Sequence, residues 1–269
     1  DTSSTVKSIV ELIPSIKDTI IIPFLDEFPK HDTKNNIIYW PDLIKERATL
    51  EFTSLPFDHP LYILFSSGTT GLPKCIVHGV GGTLLQHMKE HVLHYDIGME
   101  DRLFYFTTCG WMMWNWMVTG LATGSTLVIY DGSPFYREGE ILWDLAESEK
   151  ISVFGVSAKY ISAQEKAEII PKNIANLSSI KTILSTGSPL APESFDYVYR
   201  DIKSDIQLSS VSGGTDIISC FVSGNPILPV RRGELQCLGL GMAVEIYDDQ
   251  GASVIEENGE LVCTKSFPS

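Results

Sequence analysis

Two rhythms of apolar residues run through the chain. Short runs rich in Val, Ile, Leu and Phe predict strands, and stretches with apolar positions every three or four residues predict helices. The strands are expected at Thr19–Leu25, His59–Ser66, Cys75–His78, Leu103–Thr107, Thr126–Tyr130, Ser152–Val156 and Lys181–Ser185. The helices fall between them, at Gly79–Tyr95, Met112–Leu121, Glu140–Lys150, Ser157–Glu168 and Pro192–Arg200, with a shorter one near Trp40–Ala48. In Gly79–Tyr95 the apolar positions at helical spacing are Leu84, Leu85, Met88 and Val92.

Strands that alternate with helices imply an α/β fold, a mostly parallel sheet layered with helices. From about Gly233 the rhythm changes. Glu234–Cys237, Ala243–Tyr247 and Glu260–Thr264 are short strands separated by Asp248-Asp249-Gln250-Gly251 and Glu257-Asn258-Gly259 turns, which predicts a small β subdomain of hairpins. The expected organisation is an N-terminal segment (1–58), an α/β core (59–232) and the β subdomain (233–269).

Composition narrows the partners. The 269 residues carry a net charge of −14, which argues against nucleic acid, since binding a phosphate backbone needs a basic face. A local loop and a metal ion can still hold a nucleotide against an acidic surface. The longest apolar stretch, Met117–Tyr130, is interrupted by Gly, Ser and Thr, so no membrane span is expected. Five scattered cysteines without a Cys-x-x-Cys pair suggest neither zinc nor a disulfide framework, and a reducing, cytoplasmic setting is expected. The chain starts at Asp1 and stops just after a strand-like Glu260–Cys263, the pattern expected of an internal segment.

The candidate chemistry begins at Ser66-Ser67-Gly68-Thr69-Thr70-Gly71-Leu72-Pro73-Lys74, directly after a predicted strand. Glycines let backbone N–H groups approach an anion, hydroxyls add donors, and lysine adds a mobile charge. The spacing is Gly-x-x-Gly-x-x-Lys, which departs from the Gly-Lys-Ser/Thr of the Walker loop. Two further segments follow in order: Ser185-Thr186-Gly187-Ser188-Pro189-Leu190 and Val211-Ser212-Gly213-Gly214-Thr215-Asp216.

Together these three segments resemble the signature motifs of the acyl-adenylate-forming enzymes, which include acyl-CoA synthetases, luciferases and peptide-synthetase adenylation domains. The resemblance implies that Ser66, Ser67, Gly68, Thr69, Thr70, Gly71 and Lys74 bind the pyrophosphate part of ATP, with Lys74 and Thr215 catalytic. It also implies that Gly187, Ser188 and Pro189 bind adenine and that Asp216 binds Mg2+, in place of the glutamate usual there. A substrate carboxylate would attack the α-phosphorus, and the thiol of coenzyme A would then take the acyl group. The expected substrates and cofactors are therefore ATP, Mg2+ and coenzyme A.

The acid is read from two places. Gly110-Trp111-Met112-Met113-Trp114-Asn115-Trp116 stands where relatives that activate short acids place a Gly-Trp acyl wall, making Trp111 and Met112 candidates. Ser212, Gly213 and Gly214 replace the bulky aromatics that shorten the pocket of acetate-activating relatives. The ensemble is most similar to the acetoacetate-activating branch, and Ser212 is expected to hydrogen-bond the 3-keto oxygen. Another short acid such as butyrate, or a non-catalytic nucleotide-binding fragment, stays open. The family's ribose-binding aspartate and its C-terminal domain with a catalytic lysine have no counterpart in these residues, so weak turnover is expected of this segment by itself.

Other signals carry less. His87, His91 and His94 have metal-like spacing on one helix, yet a solvated helix face is expected. Gly239-Leu240-Gly241-Met242-Ala243 echoes a dinucleotide fingerprint without its βαβ unit. Arg231-Arg232 is expected to be a solvated pair.

Overall fold

A computed structural model describes residues 3–24, 36–45, 47–66 and 71–269. It divides into two units, 1–54 and 55–269. In the first, helix α1 (Ser3–Leu12) precedes strands β1 (Asp18–Ile21) and β2 (Asn36–Tyr39), which pair in parallel, and one short helix, α2 (Trp40–Leu43). Of the strand expected at Thr19–Leu25, β1 ends at Ile21, before the isoleucine run does, and only Ile21 of it is buried; Leu25 lies outside the described residues. The helix expected at Trp40–Ala48 stops after a single turn.

The second unit opens with an antiparallel hairpin, β3 (Pro60–Ser66) and β4 (Lys74–Gly79). Helix α3 (Val80–Met88) follows and runs into a wider π-helical turn, Lys89–His94. Next come β5 (Arg102–Tyr105), α4 (Met112–Thr119), β6 (Thr126–Val128), α5 (Ile141–Ser148), β7 (Val153–Ser157), α6 (Ala158–Lys166) and the short α7 (Pro171–Ile174). The alternation ends with β8 (Thr182–Thr186), α8 (Pro192–Tyr197) and β9 (Gln207–Ser210).

The central sheet has the order β6-β5-β7-β8-β9, and every pair in it is parallel. The strand order reverses between β5 and β7, and crevices at the carboxyl ends of strands beside such a switch are where ligands bind in open α/β sheets. β7 and β8 are buried on both faces, as helices on either side demand. One core cluster packs Leu142, Trp143, Phe154, Ile183, Phe195 and Val198. On the other face Tyr95, Leu103, Tyr105, Trp116, Met117 and Leu184 pack together.

The strand feeding the first glycine-rich loop does not belong to this sheet. β3 and β4 form a sheet of their own, so the loop rides on a hairpin rather than at a parallel strand end as expected. Two further three-stranded antiparallel sheets complete the unit. One joins β10 (Ser212–Gly214), β11 (Ser219–Ser223) and β12 (Cys237–Leu238). The other joins β13 (Val244–Tyr247), β14 (Ser253–Val254) and β15 (Glu260–Cys263). The strand expected at Glu234–Cys237 therefore pairs with β11 and not with the terminal hairpins.

The largest departure is at α3. Its buried residues are Gly82, Thr83, Gln86 and His87, continued by Glu90, His91 and His94. The apolar positions Leu84, Leu85 and Val92 are instead 44%, 54% and 42% exposed. The helical spacing is right and the face is inverted. His87, His91 and His94, expected to be solvated, are buried and hydrogen-bonded. Arg232 is not simply solvated either; it forms ion pairs with Asp196 and Glu193 of α8.

Candidate active site

Of the first loop, Ser67, Gly68, Thr69 and Thr70 lie outside the described residues. Ser66 and Lys74 bracket it, and they face each other as a cross-strand pair at the end of the β3–β4 hairpin. Gly71 and Lys74 are exposed, and nothing lies within 4 Å of where a Gly71 side chain would begin. Strand alternation puts Lys74, Ile76 and His78 on one face of β4. His78 is buried, and its Nε2 donates to the carbonyl oxygen of Thr215 at 2.8 Å.

That bond ties the hairpin to the turn between β10 and β11, which holds Thr215 and the exposed Asp216. The turn closes through Ile218 at φ 49°, a left-handed conformation costly for a β-branched residue. Neighbours hold it there. Its side chain is fully buried, and its carbonyl accepts from His87 Nε2 at 2.5 Å.

A cavity of about 90 Å³ adjoins Thr215 at the carboxyl ends of β5 and β8. Tyr105, Trp111, Met112 and Trp116 form one wall, Leu184, Thr186 and Gly187 a second, and Val211, Gly213, Gly214, Ser219 and Cys220 a third. Ser212 is absent from this lining, although Val211, Gly213 and Gly214 are in it, and the β10–β11 register shifts between Ser212 and Gly213. Tyr105 fits because its β7 neighbour is Gly155, where a Cβ would stand 2.1 Å from the tyrosine ring. Trp111 meets Tyr105 edge to face, with ring centroids 5.9 Å apart.

The second motif leaves the end of β8. Gly187, at φ 90°, occupies the region that favours glycine, and the turn exposes Ser188 and Pro189. Trp111 lies beside it, with Cζ2 3.9 Å from the position of a Gly187 Cβ. The Thr186 hydroxyl donates to the Val211 carbonyl at 2.9 Å, fixing the second motif to the third.

The two glycines of the third motif have different reasons to be glycine. A Cβ on Gly213 would sit 2.0 Å from the Ser219 carbonyl oxygen, so β11 backbone fills that space. At Gly214 the nearest atom, Asp216 Oδ2, is 3.9 Å away. Only Gly214 leaves room for a ligand.

Behind the cavity, the polar face of α3 grips the β10–β11 segment through its backbone. Glu90 Oε2 accepts from Trp116 Nε1 at 2.8 Å, and Oε1 accepts from the Ser219 hydroxyl and from Cys220 N at 3.1 Å. Burial pushes the Glu90 carboxyl up, but Lys89, His87 and these donors outweigh it and hold the pKa below the usual carboxylate value. His94 Nδ1 donates to the Gly224 carbonyl at 2.6 Å, while its Nε2 accepts from Leu240 N at 3.0 Å, so the ring is neutral. His91 donates from Nε2 to the Trp116 carbonyl at 2.9 Å, and burial lowers its pKa to about 4. None of these side chains was singled out as functional from sequence. The only signal was the coincidence of His87, Glu90, His91 and His94 on one helical stripe.

A parallel α/β sheet with a cavity at the carboxyl ends of β5 and β8, lined in part by the second and third glycine-rich turns, has the placement at which open α/β folds bind ligands. The family described as AMP-binding enzyme matches residues 4–267, and the chain belongs to that family. It is 53% identical over 272 residues to an acetoacetyl-coenzyme A synthetase of Rhizobium meliloti, covering 100% of this chain and 42% of that protein. It is 48% identical to the acetoacetyl-CoA synthetase of Gallus gallus, covering 97% and 40%. A malonamoyl-CoA synthetase of Penicillium aethiopicum is 48% identical over 233 residues, covering 81% and 32%. The chain thus spans about two fifths of the length of the acetoacetyl-CoA synthetases it matches.

Among solved structures, an acetoacetyl-CoA synthetase from Streptomyces lividans superposes with a TM-score of 0.92 at 42% identity, covering 100% of this chain and 41% of that one. An anthranilate CoA ligase shares the fold at 20% identity, with a TM-score of 0.80 over 97% of this chain and 48% of that one. Among the described residues no helix is long and apolar enough to cross a membrane, and all five cysteines are free.

Proposed function

We propose that the whole protein carrying this chain is an AMP-forming acetoacetate–CoA ligase. The observation that carries this is a small aromatic- and methionine-lined cavity ending at Thr215, in a chain 53% identical throughout to an acetoacetyl-coenzyme A synthetase. The cavity takes the acid with its carboxylate towards Thr215 and its methyl ketone towards the rings. Trp111, Met112, Gly213 and Gly214 border it, and Ser212 is given no part in binding the ketone.

A carboxylate oxygen attacks the α-phosphorus of ATP, the α–β phosphoanhydride bond breaks, and pyrophosphate leaves with the electron pair. Two anions must meet, so fixed donors and positive charge are required where charge accumulates. Ser66, Gly71 and Lys74, with residues Ser67, Gly68, Thr69 and Thr70 of the same loop, hold the departing pyrophosphate. Thr215 donates to phosphate, and Gly187, Ser188 and Pro189 pack against adenine. The thiol of coenzyme A then attacks the acyl carbon and displaces AMP.

Asp216 suits Mg2+: it is an exposed carboxylate on the same turn as Thr215. Among the described residues no group of three or more His, Cys, Asp or Glu could hold an ion unaided. Mg2+ commonly binds through one or two carboxylates together with substrate phosphates, and it supplies charge neutralisation there. A cytoplasmic location fits the five free cysteines.

Malonamate is the second candidate acid, favoured by the malonamoyl-CoA synthetase relative. ATP–pyrophosphate exchange on the full-length protein with acetoacetate, butyrate and malonamate tests the proposal. Preferential exchange with acetoacetate is expected; preference for either other acid overturns the substrate, and exchange with none overturns the enzyme.

A further inference from the structure

Three residues that line the cavity, Trp116, Ser219 and Cys220, each direct a hydrogen-bond donor onto a single buried side chain, Glu90, which the proposed chemistry does not use. We propose that Glu90 is a positioning residue for the acid site, fixing the Trp116 indole against the Ser219–Cys220 edge and so setting the length of acid admitted. The inference rests on the acid-activating function above.

Three observations support it. Glu90 is fully buried and touches no open part of the cavity, so it acts through the lining. Its three donors come from two elements: Trp116 from α4, and Ser219 and Cys220 from β11, about 130 residues away in sequence from Glu90; the His87 ring makes a parallel link from Thr119 of α4 to the Ile218 carbonyl. The indole of Trp116 is further confined by His91, with ring centroids 4.1 Å apart, and by Tyr95 at 5.8 Å. With its N–H captured and both flanks packed, the ring cannot swing to lengthen the cavity.

The charge is compensated locally, since Lys89 Nζ lies 3.4 Å from Glu90 Oε1 and is itself buried without another hydrogen-bond partner among the described residues. The paired cation keeps the carboxylate from projecting net negative charge at an anionic substrate. The Ser219 hydroxyl and the Cys220 N–H are both directed to Glu90, so this part of the lining offers an acyl terminus chiefly ring, carbon and sulfur surface. A short chain ending in methyl is the chemical class that fits.

Steady-state kinetics of the full-length protein with Glu90→Gln and Ser219→Ala test this. In E90Q the side-chain amide sets a donor against the Trp116 or Ser219 donor. The KM for acetoacetate is expected to rise about tenfold, with the KM for ATP within about twofold of wild type, as losing one buried hydrogen bond predicts. The preference for acetoacetate over hexanoate is expected to shrink as the indole loosens. S219A removes one donor while leaving Glu90 its other two; it is expected to shift the same two quantities less, and it carries the test if E90Q does not fold. Unchanged acid KM and chain-length preference, or equal rises in both KM values, overturn the inference. A wild-type protein that activates no short acid removes the function on which it rests; active wild type with indifferent variants removes only the role of Glu90.

Discussion

His78 Nε2 donates to the main-chain carbonyl of Thr215 across 2.8 Å, although the two residues are 137 positions apart. The bond is partly buried and directed at backbone, so it places Thr215 without consuming the threonine hydroxyl. It joins the strand that begins at Lys74 to the turn that carries Asp216.

If that link aligns the two halves of a phosphate site, His78→Ala lowers ATP–pyrophosphate exchange about tenfold, the order of one hydrogen bond. His78→Gln, whose amide N–H can still donate, recovers part of the loss. Equal losses in both variants, with unchanged melting temperature, would show that the ring and not the bond matters.

Lys74 is exposed at the hairpin end and has no role in packing. Lys74→Ala is therefore expected to leave the melting temperature within about 1 °C, since exposed substitutions change stability by about 0.5 kcal/mol or less. Exchange is expected to fall on the order of a hundredfold, as when one preorganised contact to developing charge is lost. Differential scanning fluorimetry beside the exchange assay checks both.

The two glycines of the third motif separate fold from selectivity. Gly213→Ala forces a methyl into the Ser219 carbonyl and is expected to destabilise by about 2 kcal/mol or more, the usual range for overpacking against backbone. Gly214→Ala has space, so it folds normally and instead raises the KM for longer acids before that for acetate. Urea denaturation and a series of acids distinguish the two.

The buried histidines predict acid sensitivity. For His91 the folded pKa, about 4, lies below the ordinary 6.5. Its contribution is complete above pH 6.5 and is lost as pH falls from there towards 4, because the unfolded state takes up the proton first. The gap corresponds to about 3 kcal/mol. Glu90, also lowered, adds a further loss below the usual carboxylate range. Melting temperature is expected to fall steeply over that window, and less steeply in His91→Gln.

The sheet was legible because its strands are short apolar runs set between helical repeats, and β7 and β8 appear within a residue or so of where those runs lie. The small strands around Thr215 were not. β10 is Ser-Gly-Gly, without β propensity, and it becomes a strand because β11 supplies its partners. The cavity lining was partly legible: Trp111, Met112, Gly213 and Gly214 line it, whereas Ser212 does not, and the register shift beside Ser212 arises from pairing with β11, which the sequence does not announce.

By itself the sequence determined the alternation of strands and helices, the order of three hydroxyl- and glycine-rich turns, and the helix at Val80–Met88. Only the tertiary structure decided which face of that helix is inside. Periodicity reports that one stripe differs from the other, but burial depends on what stands opposite. Opposite α3 stand the backbone carbonyls and amides of residues 215–224, whose need for partners makes His87, Glu90 and His94 the interior face and leaves Leu84 and Leu85 outside.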